Sequence, residues 1–219
     1  MAMNVAIDGP AGAGKSTIAK AIAKKLGYVY VDTGAMYRAM ALYFLRSNIS
    51  KDDEAKISSV VDDISVSIKY EDGAQHVILN GEDVTGLIRT EEVGNMASAT
   101  SVYGPVRTKL VALQQELAKT TDAIMDGRDI GTVVLPNADV KVFLTASVEC
   151  RAKRRYDELV GKGLEADFDK IAKDIEERDY RDSHREISPL KQAEDATLVD
   201  SSDMTIDEVV DAIIKLCNK

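Results

Sequence analysis

Short apolar runs alternate with amphipathic stretches along most of this chain. The stretch between the first two runs carries apolar Ile18, Ile22 and Leu26 on one side and lysines on the other, as an amphipathic helix does. Strands that alternate with helices predict an α/β fold of three layers, in which helices cover a parallel central sheet. The apolar runs of strand length are 3–7, 28–31, 123–125, 140–145 and 196–200.

The pattern changes between residues 64 and 79. Residues 64–70 alternate with a period of two, and Gln75–Leu79 forms a second apolar run that Asn80-Gly81 closes. Glu71-Asp72-Gly73, between the two runs, predicts a turn. We therefore expect a small antiparallel β subdomain, residues 65–88, inserted into the α/β fold.

The segment after the first apolar run matches the phosphate-binding P-loop pattern G-x-x-x-x-G-K-[ST]. Backbone N–H groups of such a loop surround phosphate oxygens, and the following helix favours negative charge at its N-terminus. Lys15 would reach the β- and γ-phosphates of ATP, and the Ser16 hydroxyl would bind Mg²⁺. The predicted ATP-binding residues are Gly9, Pro10, Ala11, Gly12, Ala13, Gly14, Lys15, Ser16 and Thr17.

Polar residues follow two of the other predicted strands. Asp32-Thr33-Gly34 follows residues 28–31 and leads into a helix with Arg38, and Asp126-Gly127-Arg128-Asp129 follows residues 123–125. Ligands of parallel sheets bind outside the carboxyl ends of the strands, so both segments are expected beside the P-loop. Asp126 is also placed like the acid that ends a Walker-B strand, although this strand is short. Helix caps and tight acidic turns are the structural alternatives.

Arginines gather in the C-terminal third of the chain. Arg178, Arg181 and Arg185 are spaced i, i+3, i+7 and would share one helical face close to Asp182. Gly161-Lys162-Gly163 interrupts a helical pattern, and we expect a short mobile lid over 151–166. A solvated surface with salt bridges is the alternative interpretation. Ser98 and Arg107, at the facing ends of two predicted helices, would border one cavity or be solvated.

Composition limits the class of protein. With 219 residues, 45% of them hydrophobic, the chain predicts one domain, 1–219. No apolar run is long enough for a membrane span, no leader pattern precedes the first strand, and Cys150 and Cys217 are far apart, so we expect a cytoplasmic protein. A net charge of -9 argues against nucleic-acid and membrane partners. Nothing requires more than a monomer.

A P-loop alone leaves the reaction open. A phosphotransferase must exclude water from the γ-phosphate, which suits a small acceptor in a closing site that is rich in arginine. A motor or switch ATPase without a small acceptor is the second class. The identity of the small acceptor is open as well: it could be one of several nucleoside monophosphates or a shikimate-like acid.

Several longer strings give the chain a resemblance to the bacterial cytidylate kinase family. It covers almost the whole sequence and rests on GPAGAGKST at 9–17, DTGAMYR at 32–38, IRTEEVGNMAS at 88–98, DGRDIGTVVLP at 126–136, ERDYRDSHR at 177–185 and the ending PL...A.DA..VDSS. The resemblance implies a nucleoside monophosphate kinase of the P-loop class, which transfers the γ-phosphate of ATP to CMP or dCMP in pyrimidine metabolism, with Mg²⁺. It also implies that the inserted hairpin belongs to a monophosphate-binding domain.

The resemblance further implies roles for individual side chains. Thr33, Ser98, Arg107 and Asp129 would line the cytosine pocket. The acceptor phosphate would be held by Arg38, Arg128 and Arg185, and the sugar would lie near Arg178 and Asp182. The expected catalytic residues are Lys15, Arg128, Arg178 and Arg185, and Asp126 completes the expected substrate-binding set.

Overall fold

The computed structural model describes residues 2–71 and 74–218, which form two compact units. The first unit comprises Met1–Tyr30 with Thr121–Lys219, and the second comprises Val31–Thr120. In chain order the helices and strands are β1 Asn4–Asp8, α1 Lys15–Leu26, β2 Val29–Asp32, α2 Thr33–Arg46, α3 Glu54–Val60, β3 Val66–Glu71, β4 Ala74–Leu79, β5 Glu82–Asp83, α4 Glu91–Thr100, α5 Gly104–Thr120, β6 Ala123–Gly127, β7 Val140–Thr145, α6 Val148–Gly161, α7 Phe168–His184, β8 Thr197–Asp200 and α8 Ile206–Cys217.

A five-stranded sheet with the order β2-β6-β1-β7-β8 organises the first unit. β1 lies in the middle and pairs in parallel with β6 and with β7, and β7 pairs in parallel with β8. The inner strands are apolar on both faces: Val5 pairs with Ile124 on one face and Ala6 with Met125 on the other, and all four are fully buried. Strands buried on both faces need helices on both sides, and the structure confirms the predicted parallel α/β fold.

Helices α1 and α8 contribute to the core of the first unit. Ile18 and Ile22 of α1 and Val209 and Ile213 of α8 belong to one cluster with the sheet residues. A capping box opens α8, because Thr205 and Glu208 each accept a hydrogen bond from the other's backbone N–H.

The second unit has its own core and its own small sheet. β3 and β4 pair antiparallel, with Val66 opposite Leu79, and the two-residue strand β5 adds a third strand that the pattern did not predict. This confirms the antiparallel hairpin, while the expected turn residues Asp72 and Gly73 lie outside the described residues. The core of the unit includes Met36, Met40, Phe44, Ile57, Ile88 and Leu110.

Two helix ends differ from the sequence-based expectation. α1 begins at Lys15 and not at Ile18, so the P-loop leads directly into the first helical turn. α7 ends at His184, and Arg185 has extended backbone angles of φ -65° and ψ 142°. The prediction that Arg178, Arg181 and Arg185 share one helical face is therefore wrong for Arg185, because the chain leaves the helix where the Leu190 N–H bonds to the Asp182 carbonyl.

The boundaries 65–88 and 151–166, as a monophosphate-binding subdomain and a lid, remain predictions. Residues 151–161 belong to α6, which packs against α7 as a helical pair. None of the helices in the described part of the chain combines the length and the apolar character that a membrane span requires.

Candidate active site

The P-loop lies between the carboxyl end of β1 and the start of α1. A β-carbon added at Gly9, whose φ is 151°, would lie 1.9 Å from the carbonyl oxygen of Leu144 on the neighbouring strand β7. Only glycine fits there, because no backbone shift of ordinary size removes such an overlap. Gly14, with φ 87°, precedes α1 and supplies no side-chain cap. The first-turn N–H groups of α1 therefore suit an external anion.

Lys15 is buried, although it carries an ammonium group. Its side chain is almost closed off from solvent, and Nζ donates to the carbonyl oxygens of Gly9 at 2.8 Å and Pro10 at 2.7 Å. Burial lowers the pKa of Lys15 well below its ordinary value, and the positive charges of Arg128 and Arg178 act in the same direction. A phosphate bound here would supply the negative charge that favours the ammonium form.

Ser16 and Asp126 form a pair of oxygen groups next to the loop. The Ser16 hydroxyl donates to Asp126 Oδ2 at 2.8 Å, and the Tyr30 hydroxyl donates to Oδ1 of the same carboxylate at 2.8 Å. Hydroxyl and carboxylate oxygens are the donors that Mg²⁺ prefers. Sequence reasoning placed Asp126 near the loop and missed Tyr30.

Asp8 ends β1 and contacts the segment after β6. Its Oδ1 accepts the Ile130 N–H at 2.8 Å and its Oδ2 accepts the Gly131 N–H at 2.7 Å. Burial raises the pKa of Asp8 to about 6, against the effect of these two hydrogen bonds. The sequence did not single out Asp8, although it stands at a strand end in the same way as Asp32 and Asp126.

The predicted arginines of the first unit gather around two carboxylates. Arg128 Nε donates to Asp182 Oδ2 at 2.8 Å, and Arg185 lies with its guanidinium nitrogen 3.7 Å from Asp129 Oδ1. Burial alone would raise the pKa of Asp182, but Arg128, Arg178 and Arg185 together hold it below its ordinary value of 3.8. Arg181 is exposed and lies outside this cluster.

Arg151 supports the P-loop from behind and was not predicted to do so. This α6 side chain is 4% exposed, and it donates to the Ala11 carbonyl oxygen at 2.9 Å and pairs with Asp179 of α7 at 2.6 Å. The Arg151 guanidinium thus joins the P-loop to α6 and α7. Arg155, further along α6, pairs with Glu158 at the surface.

In the second unit, Thr33 and Arg38 lie on α2. Thr33 is buried at the first position of the helix, and Asp32 caps the helix by accepting the Ala35 N–H at 3.0 Å. Asp32 also pairs with Arg89 at 2.7 Å. Arg38 donates to the carbonyl oxygens of Ile88 and Thr90 at 3.1 and 3.3 Å.

Ser101 links the backbone of Ser98 to the side chain of Arg107, and the shared cavity stays a prediction. The Ser101 hydroxyl donates to the Ser98 carbonyl oxygen at 3.0 Å, and Arg107 donates to the Ser101 carbonyl oxygen at 3.2 Å. Arg107 is 4% exposed, and its guanidinium lies 5.8 Å from the centre of the Tyr37 ring. Cation–π contact fixes an arginine whose polar atoms are largely withdrawn from water.

The fold and the P-loop together define a class. A glycine-rich loop between a central parallel strand and a helix, with a lysine inside it and a hydroxyl–carboxylate pair beside it, is the arrangement of P-loop nucleotide-binding proteins. Two solved structures have a similar fold. A shikimate kinase from Bacteroides thetaiotaomicron superposes with a TM-score of 0.50 at 14% identity, over 99% of each chain. An uncharacterized protein from Eubacterium ventriosum gives a TM-score of 0.55 at 11% identity, over 99% of each chain.

Sequence comparison narrows the class to one family. The chain belongs to the cytidylate kinase family, whose sequence model, described as Cytidylate kinase, matches residues 5–219. A protein named Cytidylate kinase from Caldicellulosiruptor saccharolyticus is 53% identical over 99% of this chain and 96% of its own length. Another of that name, from Lactobacillus johnsonii, is 54% identical over 99% of this chain and 94% of its own length.

Proposed function

We propose that this protein transfers the γ-phosphate of ATP to CMP or dCMP and releases ADP with CDP or dCDP. An acceptor phosphate oxygen would attack the γ-phosphorus, and the bond from that phosphorus to the bridging oxygen of ADP would break. The observation that carries the proposal is the match to the cytidylate kinase family over nearly the whole chain. The P-loop geometry around Lys15 supports it independently.

The ATP phosphates are assigned to residues 9–17. Backbone N–H groups at the start of α1 would bind the phosphate oxygens, and Lys15 would exchange its two loop carbonyls for the β- and γ-phosphates. The negative phosphates would then offset the positive charges of Arg128 and Arg178 near the buried Lys15 ammonium. Lys15 thereby stabilises the charge that moves onto ADP as the phosphoryl group leaves.

Mg²⁺ is assigned to Ser16, with Asp126 beside it. The described residues contain no group of three or more His, Cys, Asp or Glu side chains able to hold a metal ion on their own. Mg²⁺ commonly takes one or two protein oxygens and completes its shell with phosphates and water, so this donor pair fits. The ion supplies charge neutralisation on the phosphates when it is bound.

The acceptor is assigned to the residues that the family resemblance names. Thr33, Ser98, Arg107 and Asp129 would read the amino and keto groups of cytosine, and a base with the opposite hydrogen-bond pattern would leave a buried polar atom unpaired. Arg38, Arg128 and Arg185 would bind the acceptor phosphate, and Arg178 and Asp182 would lie near the sugar. Arg128, Arg178 and Arg185 also stand in charge contact with Asp182, which holds the cluster together before substrate binds.

The remaining assignments are proposals of the same kind. We place the protein in the cytoplasm as a monomer without nucleic-acid or membrane partners. Residues 65–88 belong to the monophosphate-binding part, and residues 151–166 act as the lid. Arg151, the first residue of this segment, anchors it to the P-loop backbone.

A panel of acceptors tests the proposal. With ATP and Mg²⁺, CMP and dCMP should give ADP far faster than UMP, AMP, GMP or shikimate, measured by a coupled ADP assay. Lys15→Ala should abolish transfer while the circular dichroism spectrum stays unchanged, because Lys15 bonds only to the loop it serves. Slow ATP hydrolysis that no acceptor accelerates would instead indicate a nucleotide-dependent switch.

A further inference from the structure

The segment that follows β6 contains a π-helical turn, Ile130–Val134, directly after Arg128 and Asp129. π-helical turns are rare and are frequent at functional sites. The residue before the turn, Asp129, has φ -147° and makes no side-chain cap. The N–H groups that open the turn are therefore not satisfied by the side chain next to them in sequence.

Asp8 satisfies them from 122 and 123 positions away in the sequence. One carboxylate oxygen accepts the Ile130 N–H at 2.8 Å, and the other accepts the Gly131 N–H at 2.7 Å. Both bonds lie in the interior, and Asp8 is 4% exposed. A charged acceptor with two N–H donors forms strong, directional bonds in such a place.

The fit around this carboxylate leaves little room for movement. A β-carbon at Gly131 would lie 3.4 Å from Asp8 Oδ2 and 3.2 Å from the Lys141 side chain. Asp8 is itself fixed, because it ends the central strand β1 and pairs there with β6 and β7. The carboxylate therefore ties the π-helical turn to the most rigid part of the sheet.

We propose that Asp8 is a positioning residue for phosphoryl transfer, which holds the segment 128–131 so that Arg128 and Asp129 meet the acceptor. This inference rests on the proposed function, which assigns those two residues to the acceptor. Because Asp8 does the capping, the Asp129 carboxylate points elsewhere and lies 3.7 Å from the Arg185 guanidinium. Asp8 also precedes Gly9 directly, so one strand end places both the P-loop and the arginine-bearing segment.

Asp8→Asn is the informative substitution, because it keeps the shape and removes one acceptor. The amide NH₂ would face one of the two N–H donors, and the segment would shift. Misplacement of about 1 Å costs on the order of 100-fold in rate. We expect kcat/KM for the acceptor to fall 10- to 100-fold, while the Kd of a non-hydrolysable ATP analogue stays within about twofold, since the Lys15 hydrogen bonds to the Gly9 and Pro10 carbonyl oxygens do not involve the Asp8 side chain.

Asp139→Asn is the matched control. Asp139 Oδ2 accepts the Asn4 N–H at 2.7 Å, so it bonds the opposite end of the same strand with the same chemistry. Asp139→Asn should leave both kcat/KM for the acceptor and the Kd of the ATP analogue near their wild-type values. The variants are compared with whichever acceptor the wild type phosphorylates, so a different acceptor would overturn the proposed function and still test Asp8.

A double-mutant cycle separates positioning from general destabilisation. If Asp8 acts through Arg128, Asp8→Asn should cost much less in the Arg128→Ala background than in the wild type. Additive losses, an unchanged kcat/KM in Asp8→Asn, or an equal loss of ATP-analogue binding would each overturn the proposal. Should Asp8→Asn fail to fold, Gly131→Ala presses on the same contact while it keeps the Asp8 charge, and the same cycle and outcomes apply.

Discussion

At Gly94 of α4, the guanidinium of Arg38 already occupies the space beside the backbone. An added β-carbon would lie 3.0 Å from both terminal nitrogens of Arg38. Glycine in the middle of a helix costs about 1 kcal/mol relative to alanine. The residue thus lowers the stability of α4, and in return Arg38 lies against the helix and bonds the Ile88 and Thr90 carbonyl oxygens.

We predict that Gly94→Ala keeps or raises the melting temperature and weakens acceptor binding. The helix gains up to about 1 kcal/mol in propensity, while Arg38 must move by a few tenths of an ångström. The KM for CMP should rise severalfold. In the Arg38→Ala background the same substitution should leave the KM unaffected, and a further rise there would contradict a route through Arg38.

Asp182 makes the stability of the fold depend on pH in the acid range. Despite its burial, three arginines hold its pKa below the ordinary 3.8, so between the two values the unfolded chain binds more protons than the folded one. The stability that Asp182 contributes is therefore present above about pH 4 and is lost as the pH falls below it. Urea unfolding from pH 5 to 2 should show a shallower acid loss in Asp182→Asn. Equal slopes would mean that the arginines do not stabilise the carboxylate.

The N-terminus of α8 is specified by residues that lie close to each other in sequence. Thr205 and Glu208 have the Thr-x-x-Glu spacing of a capping box, and both reciprocal bonds are present. Thr205→Ala should lower the free energy of unfolding by about 1 kcal/mol, measured by urea denaturation, because one helix N–H loses its acceptor. Thr205→Ser keeps the hydroxyl and should lose only a small part of this. Equal losses in both variants would assign the effect to the methyl group.

The π-helical turn after β6 shows where local signals fail. The polar segment after residues 123–125 was expected beside the P-loop, and no spacing within it reveals five-residue hydrogen bonding such as Leu135 N–H to the Ile130 carbonyl. The cap that stabilises the turn comes from Asp8, far away in sequence. Strands and helices, by contrast, follow from periodic burial that each segment carries within itself.

The same distinction applies to the candidate site. Motif spacing named Lys15, Ser16, Arg128 and Asp182, and the structure brings these side chains together. It did not name the residues that hold them. Asp8, Tyr30 and Arg151 act through contacts with parts of the chain that are far away in sequence.

At the scale of the whole molecule, charge is the dominant property. Asp and Glu number 37 against 28 Lys and Arg, and several cations of the site are already paired with carboxylates. We predict no retardation of a 20-nucleotide DNA or RNA at 150 mM salt, because binding a long polyanion needs a continuous basic surface. A complex that weakens steeply with added salt would contradict this prediction.

The division of the first unit along the chain has a consequence for synthesis on the ribosome. β1 and the whole phosphate-binding motif leave the ribosome first, yet the two partners of β1 begin only at Ala123 and Val140. The second unit, Val31–Thr120, is continuous and is complete earlier. At about 5–20 residues per second the motif waits roughly 6 to 25 seconds for the strands on either side of it. A nascent chain that stops at Thr120 contains all residues of the P-loop, but it lacks Leu144, whose carbonyl oxygen requires glycine at position 9.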